Sequence, residues 1–199
     1  MNRVILAYSR LPGQPSDFAP REWRQAESRL GTALACRLLS ESGQRIVVPA
    51  ALRYGVTGKP YVPGQSAFSI AHSGGWALCA LASEGAIGVD VEVVPRYSIL
   101  PHWRRVFDAR ERAVAGAPRA ALAIWTAKEA VLKASGATLA EIAEVKVRGR
   151  HAIFRGTRWF CRMPRIAPGL VARLATAVPV TQLQWRPIAS ADALYEFAI

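Results

Sequence analysis

Long apolar runs are missing from this chain of 199 residues. No stretch approaches the roughly 20 residues that a membrane helix needs, so no membrane span is expected. The opening, Met1 to Arg10, has too short an apolar segment for a signal peptide and reads as a first strand. Cysteine is scarce. Cys36, Cys79 and Cys161 are odd in number, widely spaced and set in apolar surroundings, which points to buried free thiols in a reducing cytoplasm. Histidine is scarcer in effect: His72, His102 and His151 are scattered, and no zinc-ligand spacing appears. Acids are few, 14 against 26 basic residues, so the net charge is +12. That balance favours acidic partners: nucleic acid, anionic membrane, phosphorylated ligands or an acidic protein. The basic residues are spread along the chain, and neither an RNP sequence nor a zinc finger is present, so nucleic acid is not the expected partner. Lysine is rare beside 22 arginines, which makes Lys59, Lys128, Lys133 and Lys146 informative. Lysine is a compact point charge where arginine is a planar fork.

Against these absences, hydrophobic residues make up 51% of the chain, enough for a sizeable core. One large domain or two small fused ones fit the length. The segment Ala86-Ile87-Gly88-Val89-Asp90-Val91-Glu92-Val93-Val94 reads as a strand, from its β-branched content and period-2 alternation. Ile87, Val89, Val91 and Val93 share one face, and Gly88, Asp90, Glu92 and Val94 the other. Two acids thus point the same way, with Cα atoms roughly 6.6 Å apart at a rise of about 3.3 Å per residue. Two readings stay open on these residues alone. The acids lie on the solvated face of an edge strand, or they raise each other's pKa and need a cation such as Mg²⁺ between them.

Along the rest of the chain, helix is expected from about Pro20 to Ser40, from Arg104 to Ala115 and from Arg119 to Ser135, the last opened by Pro118 and capped by Gly136. Residues 46 to 52 read as a short strand or extended segment. Ala67 to Ser73, Trp76 to Ala82 and the acid-bearing strand read as a three-stranded antiparallel meander turning at Gly74-Gly75. Val145 to Arg155 reads as a hairpin, with short strands following at 158–163, 170–178 and 182–185. Gly55 to Tyr61 is not a P-loop: Pro60 stands where Ser or Thr is required, and no helix follows. Pro95 and Pro101 mark a midpoint boundary, giving an α+β chain with lobes at 1–95 and 96–199.

In the third helix Trp125, Glu129 and Lys133 fall on one stripe at 100° per residue, with Lys128 on its flank. Glu129 and Lys133 make an ordinary solvated i,i+4 pair, or a partly buried functional pair beside the tryptophan. Both readings stay open for the helix taken alone.

In chain order stand Gly-Lys-Pro at 58–60, Phe-Ser-Ile-Ala-His-Ser at 68–73, Gly-Val-Asp-Val-Glu at 88–92 and Trp-Thr-Ala-Lys-Glu-Ala-Val-Leu-Lys at 125–133. This constellation resembles the Sfp-type 4′-phosphopantetheinyl transferases of the holo-acyl-carrier-protein synthase superfamily. The resemblance implies an α+β pseudo-dimer of two similar lobes, each an antiparallel sheet packed with helices, with coenzyme A in the cleft between them. It implies a cytoplasmic, monomeric, Mg²⁺-dependent enzyme. Such an enzyme moves the phosphopantetheine arm of coenzyme A to a serine of an acidic apo carrier protein and releases adenosine 3′,5′-bisphosphate. By the same resemblance Asp90, Glu92 and Glu129 are the metal ligands and catalytic acids. Lys128, Lys133 and His72 hold phosphates, and Lys59 and Pro60 lie near the adenine. Glu129 or a metal-bound water takes the serine proton. Glu111 matches a family glutamate of less defined role. Glu27 falls near a position that is often basic in the family, which leaves the 3′-phosphate ligand unassigned. The rival class is a non-catalytic basic protein that binds nucleic acid or acidic partners through its +12 charge.

Overall fold

A computed structural model describes residues 1–13, 16, 19–43, 46–94, 103 and 105–190. Eleven strands and three α-helices are recognised among them. The elements are β1 (Arg3–Arg10), α1 (Pro20–Ser42), β2 (Arg53–Tyr54), β3 (Pro60–Tyr61), β4 (Phe68–Ser73), β5 (Trp76–Ala82) and β6 (Ile87–Val93). After these come α2 (Ala109–Val114), α3 (Pro118–Ser135), β7 (Lys146–Arg148), β8 (His151–Phe154), β9 (Thr157–Arg162), β10 (Leu170–Thr176) and β11 (Gln182–Pro187). The fold is α+β, as expected. The midpoint boundary at Pro95 and Pro101, and Arg104 as a helix start, lie outside the described residues.

Two sheets carry the structure. One has the order β11-β1-β5-β4; the other has the order β6-β10-β9-β8-β7 and is antiparallel throughout. The expected meander is corrected here. β4 and β5 do form a hairpin, but β6 leaves them and pairs antiparallel with β10, Asp90 opposite Arg173. In exchange β11, from the far end of the chain, pairs parallel with β1. Each sheet therefore contains a strand from the other half of the chain.

Alternation along the strands builds the layers. Val4 and Leu6 of β1, Leu78 and Ala80 of β5, Ile87, Val89 and Val91 of β6 and Leu170, Ala172 and Leu174 of β10 form one buried cluster between the two sheets. Ile5, Ala7, Ala77, Cys79 and Leu81 face the other way and pack on α1 through Leu30, Leu34 and Leu38. On the opposite side Val171 and Ala175 of β10 turn outward to α3. The stack is thus α1, four-stranded sheet, five-stranded sheet, α3. Cys36, Cys79 and Cys161 are all buried and free, as expected. No helix among the described residues is long and apolar enough to cross a membrane.

Local departures are small. Pro49–Ala51 is a single 3₁₀ turn instead of a strand. The helix expected from Arg104 is described only from Ala109 to Val114; Asp108 caps it by accepting the Glu111 N–H at 3.0 Å while Glu111 accepts the Asp108 N–H.

Candidate functional site

The site begins with a glycine. β6 crosses under α3 so closely that a Cβ at Gly88 would stand 1.9 Å from the Ala130 carbonyl oxygen and 2.5 Å from the Ala134 nitrogen. Only glycine permits that approach. It brings Asp90, two residues on and on the same face, against the middle of α3. Lys133 meets it: Nζ lies 2.7 Å from Asp90 Oδ1. The other oxygen, Oδ2, is buried and receives no hydrogen bond among the described residues. Glu129, one turn before Lys133 on α3, interacts with the same carboxylate.

Two carboxylates facing each other are both acceptors, so something must lie between them, a proton or a cation. The titration shifts follow. Burial first, then the charges of Asp90 and Glu92, push Glu129 up to about 7, against the opposing pull of Lys133. Burial raises Asp90, with Lys133 working against the rise. Burial also raises Glu92, opposed by its hydrogen bond from Ser73. Burial disfavours the Lys133 ammonium, but Asp90, Glu129 and Glu92 around it outweigh burial and raise its pKa. The solvated readings of both segments are thereby excluded: the Asp90 side chain is only 5% exposed, and Lys133 is engaged with it.

Glu92 sits at the rim. Its Oε2 accepts from Ser73 Oγ at 2.8 Å, and the same hydroxyl accepts the Val93 N–H at 3.4 Å. Four residues earlier, Ser69 Oγ accepts the Val89 N–H at 3.1 Å. Two serines of β4 thus take up backbone amides of β6 and join the facing sheet edges where no ladder runs. These serines were not singled out from sequence; their alternation in β4 was the available signal. Among the described residues no group of three His, Cys, Asp or Glu side chains is assembled as a metal cage. The donor set still fits a hard cation: a buried orphan oxygen on Asp90 and three acids held toward protonation beside one ammonium.

The lysines divide. Lys59, on the loop between β2 and β3, donates to the carbonyls of Ile87 at 3.0 Å and Ala134 at 3.3 Å. It staples the start of β6 to the C-terminal turn of α3, and burial lowers it to about 8. With Pro60, Ser69, Lys133 and Gly136 it lines a cavity of about 220 Å³. Lys128, expected among the phosphate ligands, engages a different set of partners here. Its side chain is 0% exposed and its ammonium lies 2.9 Å from Glu111 Oε2. It also donates to the carbonyls of Val145 and Ile142, and it stands over the Phe107 ring. Glu111 Oε1 in turn accepts the Val147 N–H at 2.7 Å. The pair locks α2, α3 and β7 together, sealed from solvent. His72 stands near the end of β4, with Nδ1 3.4 Å from Glu27 Oε2.

The α+β stack thus gathers acids and lysines beside a cavity at its sheet–helix contact. The sequence model of the 4′-phosphopantetheinyl transferase superfamily matches residues 86–168, which hold both Asp90 and Lys133. The 4′-phosphopantetheinyl transferase AcpT of Salmonella typhi is 32% identical over 153 residues, covering 70% of this chain and 74% of that protein. AcpT of Escherichia coli K12 is 33% identical over 153 residues, 70% of this chain and 73% of its own length. A putative 4′-phosphopantetheinyl transferase of Synechocystis, slr0495, is 38% identical over 94 residues; the chain covers only 38% of its length. The chain belongs to the 4′-phosphopantetheinyl transferase superfamily.

Proposed function

We propose that the protein transfers the 4′-phosphopantetheine group of coenzyme A to a serine of an acidic apo carrier protein, with Mg²⁺, and acts as a cytoplasmic monomer of the holo-acyl-carrier-protein synthase type. The observation that carries this reading is the meeting of Asp90 with Lys133 and Glu129 across the β6–α3 contact. Asp90, Glu92 and Glu129 would hold the ion, since their oxygens are hard donors that lack sufficient positive charge around them. When bound, the ion supplies neutralisation of the charge that builds on the pyrophosphate leaving group.

The chain's own residues do the rest. Lys133 presents its ammonium and His72 its imidazole toward the phosphates; Lys59 and Pro60 flank the cavity beside Lys133 and hold the adenine end. The serine Oγ–P bond forms as the P–O bond to adenosine 3′,5′-bisphosphate breaks. The serine proton passes to Glu129 or to a water held by the acids. Coenzyme A lies between two lobes, 1–95 and 96–199, of a pseudo-dimer; the exchange of β6 and β11 between sheets supports an intertwined pair. The +12 charge supports an acidic partner, which it would steer over distance.

The test is incubation with coenzyme A, Mg²⁺ and apo carriers from fatty-acid, polyketide and peptide synthesis, each weighed afterwards by mass spectrometry. A phosphopantetheine gain that EDTA abolishes and excess Mg²⁺ restores is expected. No gain on any carrier sinks the reading.

A further inference from the structure

Glu27 is a buried acid that the proposed reaction leaves unused. It lies in the first half of α1 and is 4% exposed. Its Oε1 accepts the Gly75 backbone N–H at 2.6 Å, in the turn between β4 and β5. Trp23, one helical turn earlier, closes over that turn, where a Cβ on Gly75 would stand 2.7 Å from the indole. The carboxylate is therefore fixed at one end, and its free oxygen, Oε2, faces His72 Nδ1 at 3.4 Å. The His72 side chain is 35% exposed and has no other polar partner among the described residues. The Glu27 charge in turn acts on Glu92, which accepts from Ser73, the residue after His72.

We propose that Glu27 is a positioning residue for His72. A carboxylate is acceptor-only, so it holds the imidazole proton on Nδ1 and fixes the ring plane. Nε2 is then the nitrogen left to meet the ligand. A phosphate oxygen of coenzyme A arriving there accepts from Nε2 whenever the ring carries its second proton, while Nδ1 stays turned to Glu27. The acid in the N-terminal helix thus reaches the phosphate indirectly, through the histidine. This rests on the transferase reading.

Two measurements test it. The first is ¹⁵N NMR of His72 in the wild-type protein, which is expected to show the proton on Nδ1; a ring protonated on Nε2 alone overturns the proposal whatever any variant does. The second is a cycle of Glu27→Gln, His72→Ala and the double variant. The Glu27→Gln side chain keeps an acceptor for the Gly75 N–H but places an amide donor against Nδ1. We expect KM for coenzyme A to rise about tenfold, the step from a charge-assisted to a neutral hydrogen bond, with kcat within about twofold. Adding Glu27→Gln to His72→Ala is expected to change kcat/KM little further. Fully additive losses would make Glu27 a brace for the turn only and overturn the proposal. Wild-type protein that modifies no carrier removes the transferase reading, while the NMR result still decides the Glu27–His72 assignment.

Discussion

Lys128 and Lys133 stand five positions apart on one helix and have opposite surroundings. Lys128 is sealed in with Glu111; Lys133 is 34% exposed on its side chain and bridges to Asp90 at the cavity wall. Lys128→Ala leaves the Glu111 carboxylate buried beside a void. Breaking a buried pair from one side costs about 3–5 kcal/mol, which lowers the melting temperature by roughly 10 °C for a chain of this size. Lys133→Ala leaves Asp90 free to take a proton, so it is expected to shift melting by less than half as much while abolishing measurable coenzyme A binding by calorimetry. Equal melting losses in the two variants would show that Lys133 also serves mainly to hold the fold. The motif made the two lysines look alike. A helical wheel separates their faces, but which face is sealed depends on Glu111, seventeen residues earlier in another helix, and on carbonyls that follow α3. That long-range pairing is not written in the motif. Asp90 and Lys133 were legible because strand alternation and helical spacing each fix a direction locally.

At the scale of elements, the site depends on how near β6 and α3 come. Gly88 and Gly31 make a useful contrast. A Cβ at Gly31 would meet Ile70 Cγ2 at 2.5 Å, the far end of a side chain that can turn aside. A Cβ at Gly88 would meet backbone atoms of α3, which cannot. Gly88→Ala is therefore expected to push the helix off the strand and cost more than about 2 kcal/mol, in the range of overpacked cores. It should also separate Lys133 from Asp90, with loss of transfer. Gly31→Ala is expected to cost less than about 1 kcal/mol and keep activity, since its helix gains from losing a glycine what the side-chain shift takes away. Chemical denaturation with an activity assay checks both, and an active, stable Gly88→Ala protein would mean that the helix can retreat without harm to the site. Element types were largely readable in advance: α1, α3, the β4–β5 hairpin and the β7–β8 hairpin each follow from local period and turn chemistry. The partner of β6 was not. A strand apolar on one face pairs equally well, on sequence grounds, with its neighbour or with a distant strand. Here Ser69 and Ser73 satisfy β6 amides through side chains, leaving its ladder for β10.

For the whole molecule, the exchange of strands decides how it folds. The cluster between the sheets draws Val4 and Leu6 from β1, Leu78 from β5, Val89 and Val91 from β6, and Leu170, Ala172 and Leu174 from β10. The first half of the chain thus supplies only β6 to the far wall of this cluster, and the second half only β11 to the near one. β1 is also held between β5 and β11, so a central strand of the first sheet needs the last described strand for one of its ladders. Neither 1–95 nor 96–199 closes this inter-sheet cluster alone, although α1 with its sheet and α3 with its sheet each bury a cluster within one half. Calorimetry of the intact chain is therefore expected to show one transition, with equal van't Hoff and calorimetric enthalpies. Each half expressed separately is expected to lack a melting transition, and mixing the two should restore one. The site has the same dependence, since Asp90 comes from one half and Glu129 and Lys133 from the other. Two resolved transitions in the intact chain, or a half that melts cooperatively by itself, would show that the lobes fold independently and that the acid–lysine contact forms only on docking.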